Sequence, residues 1–398
     1  MGGIRRRTLI VLGAGSAQLG AYLAATDLDL VSIGCDSDPR AFCIRLGLPV
    51  HHHDVSTMNR VAISALARRY DAVGIIAAGT DGPVRIAADV AAQLGLPHPL
   101  DPATAARATD KLAQRLAFAA AGVPQPAWSS DGSRPSEGAV VVKPVAAQGQ
   151  RGLARVEAGG DLVAALARAR AASRDGAALV EELVEGPEVT VNAFVSRGEF
   201  HAVMVADRER SDAFGVATAH ITPNVHPVTA AIEAARLATL ALGIERGPSY
   251  VQIVLSPDGP RVMEVAARLG GGHDGELCAL TTGVRLSELA VRAAIGEEPP
   301  PILAKSPSGG VVRFLLAPPG RLVRIEGIEE ARALPGVQLA YVYREPGDLL
   351  PQVARGADRA GFVLATGATR DEALLAAARG DPGGREHLSA IGASGATV

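Results

Sequence analysis

Cysteine is scarce in this 398-residue chain: there are three, Cys35, Cys43 and Cys278, an odd number with no metal-type spacing. That excludes a disulfide framework and fits a reducing, cytoplasmic compartment. An excess of charge of either sign is also lacking. A net charge of −3 with 20% charged residues argues against a nucleic-acid or membrane partner. No apolar run approaches bilayer-spanning length. The start, MGGIRRRTLIVLGAG, has too short an apolar stretch for a signal peptide and reads as a first strand. Aromatic residues make up only 3% of the chain. With alanine abundant and arginine favoured over lysine, this fits a GC-rich genome and carries no functional information. No internal repeat is visible.

What is present is apolar: 48% hydrophobic residues indicate a well-buried globular protein, and the length calls for two or three domains. Residues 8–13 (TLIVLG), the run LVSIGCD ending at Asp36, and DAVGII (71–76) read as buried strands. Helical segments at 40–46, 60–69 and 84–94 separate them, so the first part is a doubly wound parallel sheet. Gly13, Gly15 and the acidic Asp36 invite a dinucleotide site and an oxidoreductase. Gln18, however, stands where the third glycine of G-x-G-x-x-G belongs, so the loop either faces a substrate or only closes a turn. His51, His52, His53 and Asp54 read as a solvated loop after a strand, because adjacent residues point in different directions and rarely hold one ion.

Pro97, Pro99 and Pro102 mark a linker, followed by one helix over 103–122 that carries Lys111. The strand AVVVKP (139–144) carries Lys143 and leads into the loop AAQGQRG with Gln148, Gly149 and Gly152. A lysine beside a flexible glycine loop suits a polyphosphate clamp, and a plain solvated loop fits the pattern equally well. Glu181, in ALVEELV, and Glu188, after a Gly-Pro turn, could serve an adenine amino group and ribose hydroxyls. Taken singly, they read as exposed strand-end glutamates.

The stretch 247–274, GPSYVQIVLSPDGPRVMEVAARLGGGHD, reads as a hairpin turning at Ser256–Pro260 and leaving through three glycines. Its length places Gln252 and Glu264 across from each other, where both can reach one ion. Arg268 follows, and Gly270, Gly271, Gly272 and His273 then approach whatever sits beside it or simply turn into the next helix. Residues 278–294 form an amphipathic helix, 297–301 (EEPPP) a second linker, and the remainder a small α+β unit.

The order of these charged residues resembles the ATP-grasp superfamily over nearly the whole chain: Lys111 in TDKLAQR, Lys143 in VVKP, Glu181 and Glu188 in VEELVEGPE, then Glu264 and Arg268 in EVAARLGGG. The C-terminal part, from SGGVVRFLLAPPGRLVRIEG onward, is similar to that of the bacterial L-amino acid ligases. The form EVAARLGGG is closer to them than to biotin carboxylase or D-alanine–D-alanine ligase. The resemblance implies a mixed α/β and α+β architecture. An N-terminal doubly wound domain (1–104) precedes a two-sheet ATP-grasp domain (105–300, with a small lid over about 128–184). A C-terminal α+β domain (301–386) and a disordered tail (387–398) complete it.

It further implies ATP between two sheets, with Lys111 and Lys143 on the phosphates and the loop with Gln148, Gly149 and Gly152 folding over them. Glu181, Glu182 and Val184 would line the adenine and Glu188 the ribose. Glu264 and Gln252 would hold Mg²⁺, or Mn²⁺ in its place. Arg268 and Lys143 would be catalytic. Arg268, Gly271, Gly272, His273 and His220 would face the substrates, although a buried structural role suits His220 better. The implied partners are a small carboxylate and an amine, joined through an acyl phosphate by a homodimeric enzyme. Gln252 and Ala266 depart from the pattern, replacing a second carboxylate and an amide ligand, and leave two-metal catalysis open. Two other readings remain: a bicarbonate- or formate-activating ATP-grasp enzyme, and an ATP-binding protein without ligase activity.

Overall fold

The computed structural model describes residues 6–145, 152–211 and 215–381, together with the backbone of 388–391. Chain order begins with β1 (Thr8–Leu12), α1 (Leu19–Asp27), β2 (Val31–Asp36), α2 (Phe42–Arg45), β3 (Val50–Asp54), α3 (Arg60–Arg69), β4 (Ala72–Ile76) and α4 (Asp81–Leu94). The strands pair in parallel in the order β3-β2-β1-β4, and β1 is buried along its whole length, as a sheet covered by helices requires. The histidine run is not a loop. It is β3 itself, at the sheet edge, where His52 Nε2 meets the Asp36 carbonyl at 2.8 Å and His53 Nε2 the Tyr70 hydroxyl at 3.1 Å. The Asp36 carboxylate, where a dinucleotide fold would grip a ribose, accepts from Ala14 N–H at 2.7 Å and closes its own loop.

The helix expected over 103–122 is two, α5 (Pro102–Ala108) and α6 (Lys111–Ala120). Asp101 caps α5, whose first residue is the proline, and Asp110 caps α6 by accepting from Ala113 N–H at 2.8 Å. An aspartate that satisfies an orphan N–H starts a helix rather than continuing one. The break puts Lys111 at the first position of α6. Next come β5 (Trp128–Ser129), β6 (Val140–Pro144), β7 (Ala154–Val156), α7 (Leu162–Ala172) and β8 (Ala178–Glu182). They form a separate antiparallel sheet, β5-β8-β6-β7, with a small core of its own against α7, in the region where the small lid was expected.

The central sheet takes β9 (Glu188–Ser196), β10 (Glu199–Arg210), β11 (Ala217–Thr222), β12 (Gly247–Ser256) and β13 (Gly259–Ala266), with α8 (Thr229–Ala241) behind it. Where one amphipathic helix was expected over 278–294, Gly283 in the left-handed region ends α9 (Asp274–Thr282) before α10 (Leu286–Ala294). The remaining elements are β14 (Gly309–Leu315), β15 (Gly320–Ile325), α11 (Ile328–Ala333), β16 (Val337–Val342), β17 (Leu349–Leu350), β18 (Gly361–Gly367), α12 (Arg370–Gly380) and β19 (Leu388–Ile391).

The C-terminal part is less separate than its linker suggested. β14, β18 and β16 continue the central sheet, giving eight strands in the order β13-β12-β9-β10-β11-β14-β18-β16. β15 pairs with β17 and β19 at one side, so Leu388–Ile391, expected in a disordered tail, is a strand. One core cluster runs through Phe42 and Leu19 of the first domain, Leu269 and Leu277 after the hairpin, and Phe314 and Phe362 of the C-terminal strands. Phe42 meets Tyr343 edge-on at 5.2 Å between centroids. All three expected domains therefore brace one another around the segment that follows Glu264.

Gly309, where β14 enters the central sheet, allows this join. A Cβ there would lie 1.8 Å from the Thr369 carbonyl, at the residue that caps α12. Gly309→Ala is expected to destabilise the protein by about 1–3 kcal/mol, the usual range for overpacking. Urea unfolding would show it as a lower midpoint, and an unchanged midpoint would mean the junction is loose.

Candidate active site

The hairpin puts Gln252 and Glu264 directly opposite each other, at a register irregularity between Gln252 and Ile253. Such a bulge re-aims side chains. The Glu264 carboxylate stands 3.2 Å from the Lys111 ammonium. Lys111 is placed by α6, and α6 is pinned to β13 through the buried Gln114. That amide donates to the Ala108 and Val265 carbonyls at 2.7 and 2.8 Å and accepts from Val265 N–H at 3.1 Å. Burial alone would lower the Lys111 pKa, but Glu264 and Asp81 outweigh it and hold the ammonium above its usual range.

One helical turn on, at a spacing that shares the same face, lies Arg115, which the sequence reading passed over although it sits in the quoted TDKLAQR. Its guanidinium is buried, donating to the Val262 and Met263 carbonyls at 3.0 and 2.6 Å and to both oxygens of Glu181 at 2.8 and 3.2 Å. The same carboxylate takes the Lys143 ammonium at 2.7 Å. Glu181 is therefore no exposed strand-end glutamate: its side chain is 1% accessible. Glu181 pairs with Val141 across β8 and β6, so Lys143 lies one diagonal step away on the same face. Burial would raise the Glu181 pKa, yet Arg115 and Lys143 draw it down to about 2. Burial, with Arg115 assisting, brings Lys143 down to about 8 against the pull of Glu181, and Glu264 also acts on it. The lid lysine and the hairpin glutamate thus share one field.

The other expected nucleotide residues are placed as follows. The Glu182 carboxylate accepts from Ala127 N–H at 3.0 Å, and Val184 is buried. Glu188 is buried and paired with Arg208 at 2.8 Å and Arg210 at 3.3 Å. Gly152, in the left-handed region, packs so closely on α7 that a Cβ would lie 2.5 Å from Ala172. Gln148 and Gly149 fall outside the described residues.

Arg268 grips Asp81, at the first turn of α4, with Nε and Nη2 at 2.6 and 2.9 Å from the two carboxylate oxygens. Burial would raise the Asp81 pKa, but the guanidinium overrides it and holds the carboxyl low. Asp81 had no role in the sequence reading. It lies just beyond β4, and only the fold brings it to Arg268.

The glycine run threads a narrow gap. A Cβ on Gly271 would stand 2.9 Å from the Gly79 carbonyl, and one on Gly272 would stand 2.7 Å from the His220 ring. His273 is buried, in the left-handed region (φ 60°). Its ring stacks on Phe362 with centroids 3.6 Å apart, and Nε2 meets the Tyr343 hydroxyl at 2.6 Å. His220, also buried, stands 3.0 Å from Asp274, and its influence outweighs burial to keep the Asp274 pKa low. A pocket lined mainly by Ile76, Val84, Leu100 and Ala290 with Arg268 lies on one side of this segment. A second is lined by Ser16, Gly270, His273, Glu276 and Ser287.

This is a fold in which a small antiparallel sheet and the central sheet are joined through buried cations and a shared carboxylate. Residues 136–275 match the ATP-grasp domain family, and residues 313–380 match the family of L-amino acid ligase C-terminal domain 2. The chain therefore carries an ATP-grasp domain followed by a C-terminal domain of the L-amino acid ligase type, as the sequence resemblance implied. The fold is that of an L-amino acid ligase from Bacillus licheniformis, with a TM-score of 0.79 at 20% identity over 98% of this chain and 99% of that one. It is also shared by N5-carboxyaminoimidazole ribonucleotide synthetase from Thermotoga maritima (TM-score 0.71, 20% identity, 94% and 98% covered). Biotin carboxylase from Campylobacter jejuni has it too (TM-score 0.75, 17% identity, 94% and 90% covered). In sequence, the chain is 27% identical over 340 residues to the uncharacterised protein y4rH of Sinorhizobium fredii, covering 78% of this chain and 67% of that protein.

Glu181→Gln leaves two buried cations facing a neutral amide. Breaking a buried pair in this way costs about 3–5 kcal/mol. Because the Glu181 pKa falls from 4.5 to about 2 on folding, its contribution is complete above pH 4.5 and is lost as the pH falls toward 2. Urea titrations should show a large gap between wild type and variant at pH 7 that narrows below pH 4.5. A gap independent of pH would contradict the cluster.

Proposed function

We propose that the protein is an ATP-dependent carboxylate–amine ligase that joins two amino acids, or a related small acid and amine, with release of ADP and phosphate. The observation that carries this reading is the meeting of Lys111, Lys143, Glu264 and Arg268, far apart in sequence, in one connected set of charges. Four cations (Lys111, Arg115, Lys143 and Arg268) face three carboxylates (Asp81, Glu181 and Glu264). The surplus positive charge at low dielectric suits a polyphosphate.

Glu264, only one-third exposed, and Gln252, opposite it across the hairpin, would together offer one carboxylate and one amide oxygen. Among the described residues no three acidic, histidine or cysteine side chains gather into a larger donor set. One carboxylate and one amide fit Mg²⁺, which usually takes few protein ligands and completes its shell with phosphates and water. When bound, the ion would neutralise phosphate charge. Lys111 and Lys143 would bind phosphate oxygens and hold them in line. The carboxylate of the first substrate would attack the γ-phosphorus as the bond to the bridging oxygen breaks, giving an acyl phosphate and ADP. Arg268, rigid in its grip on Asp81, would present its remaining N–H groups to that group. The amine nitrogen would then bond to the acyl carbon, phosphate would leave with the C–O electrons, and the amine would give up a proton. Fixed dipoles and cations supply most of the acceleration in such a site. The homodimer implied by the resemblance belongs to the same proposal.

Phosphate release with ATP and Mg²⁺, run against a panel of amino acids with hydroxylamine as trap, should yield a hydroxamate. Glu264→Gln should lower that rate by about 100-fold or more. No hydroxamate from any acid, or full activity in the variant, would overturn the reading. Because Lys143 loses its proton near pH 8 and only the ammonium attracts phosphate, ATP affinity should weaken above pH 8, by up to about tenfold per pH unit. Lys143→Arg should abolish that slope in a calorimetric titration. A flat wild-type profile would show that the lysine points elsewhere.

A further inference from the structure

Arg359, just before β18, is a cation with no ion pair among the described residues. Its guanidinium carbon lies 3.6 Å above the centre of the Phe314 ring, and Nε is buried with no acceptor among the described residues. The charged and titratable groups around it are the Tyr343 and Tyr250 hydroxyls, Arg208 and Asp274. The one acid among them, Asp274, turns Oδ1 to His220 at 3.0 Å and makes no ion pair with Arg359 among the described residues. A buried donor left unpaired is unfavourable by a sizeable amount, and burial drags the Arg359 pKa down to about 10. Such a group is stabilised when an anion arrives.

The place is informative. Phe314, under Arg359, also meets the His220 ring edge-on at 5.6 Å. A Cβ on Gly272 would lie 3.1 Å from Phe314, so the aromatic floor of Arg359 abuts the glycine run that follows Arg268. Tyr250, a neighbour of Arg359, also acts electrostatically on Arg268. Tyr250 thus stands within electrostatic range of both arginines.

We propose that Arg359 is a carboxylate-binding residue that anchors the amine-bearing substrate by its acid group. With one guanidinium face covered by Phe314, the free edge offers parallel N–H donors, a geometry matched by a planar carboxylate. A substrate held there by its carboxylate directs its amine toward Arg268. The inference rests on the ligase reading for the identity of the substrate, but the anion site itself can be tested without turnover.

The test uses the full-length protein carrying ¹⁵N-labelled arginine, with the Arg359 Nε–H cross-peak assigned by its loss in Arg359→Lys, or in Arg359→Gln should the lysine variant misfold. Acetate, acetamide and inorganic phosphate are added at constant ionic strength. Acetate should move the cross-peak, whereas acetamide should not. No movement with acetate, or movement with phosphate alone, overturns the assignment. In turnover, an amino acid should be preferred over its amide as the amine, and Arg359→Gln should narrow that preference by about 10–100-fold. An unchanged ratio also overturns it. Acetate binding in a protein that never yields a hydroxamate would keep the anion site and end the ligase reading. A hydroxamate with a motionless cross-peak would do the reverse.

Discussion

The Glu181 carboxylate ties the lid to the rest of the molecule. It accepts from Arg115, which is itself bonded to two β13 carbonyls, and from Lys143 of the lid sheet. Removing three charges from water is expensive, and apolar packing of similar volume would stabilise the contact at least as well. The cluster is therefore hard to explain by stability alone. Two cations on one carboxylate leave a buried positive charge in surplus, which on the ligase reading a phosphate would meet already desolvated and positioned.

A second constraint comes from the shared sheet. Because β14, β18 and β16 extend the strands that carry Glu188 and Arg208, the C-terminal part supplies the aromatic floor, Phe314 and Phe362, beneath the glycine run. The first domain closes the other side through Asp81 on Arg268 and through Phe42 on Tyr343. The segment 268–274 is thus held from three directions, and His273 tolerates a positive φ because stacking on Phe362 and the Tyr343 hydroxyl over-determine it.

Much of this was legible in the sequence. Alternating apolar residues and a strong turn gave the hairpin and the Gln252–Glu264 pair, and strand–helix alternation gave the parallel sheet. Misjudged elements have local causes: Asp110 and Gly283 interrupt apolar periodicity with a cap and a left-handed stop, and the histidine run is polar because it forms an edge strand. What stayed hidden depends on tertiary contact. Arg115, Asp81 and Arg359 look like ordinary surface charges, and composition marks none of them. Arg115 alone left a trace, four residues after Lys111 on the same helix face.

This set of charges can be examined most directly in a crystal structure of the complex with Mg²⁺ and a non-hydrolysable ATP analogue. The triphosphate should lie between lid and central sheet, its oxygens in contact with the Lys111 and Lys143 ammonium groups, and the metal at Glu264. A nucleotide bound elsewhere, or one that leaves Lys143 and Glu264 both untouched, would contradict the convergence on which the ligase reading depends.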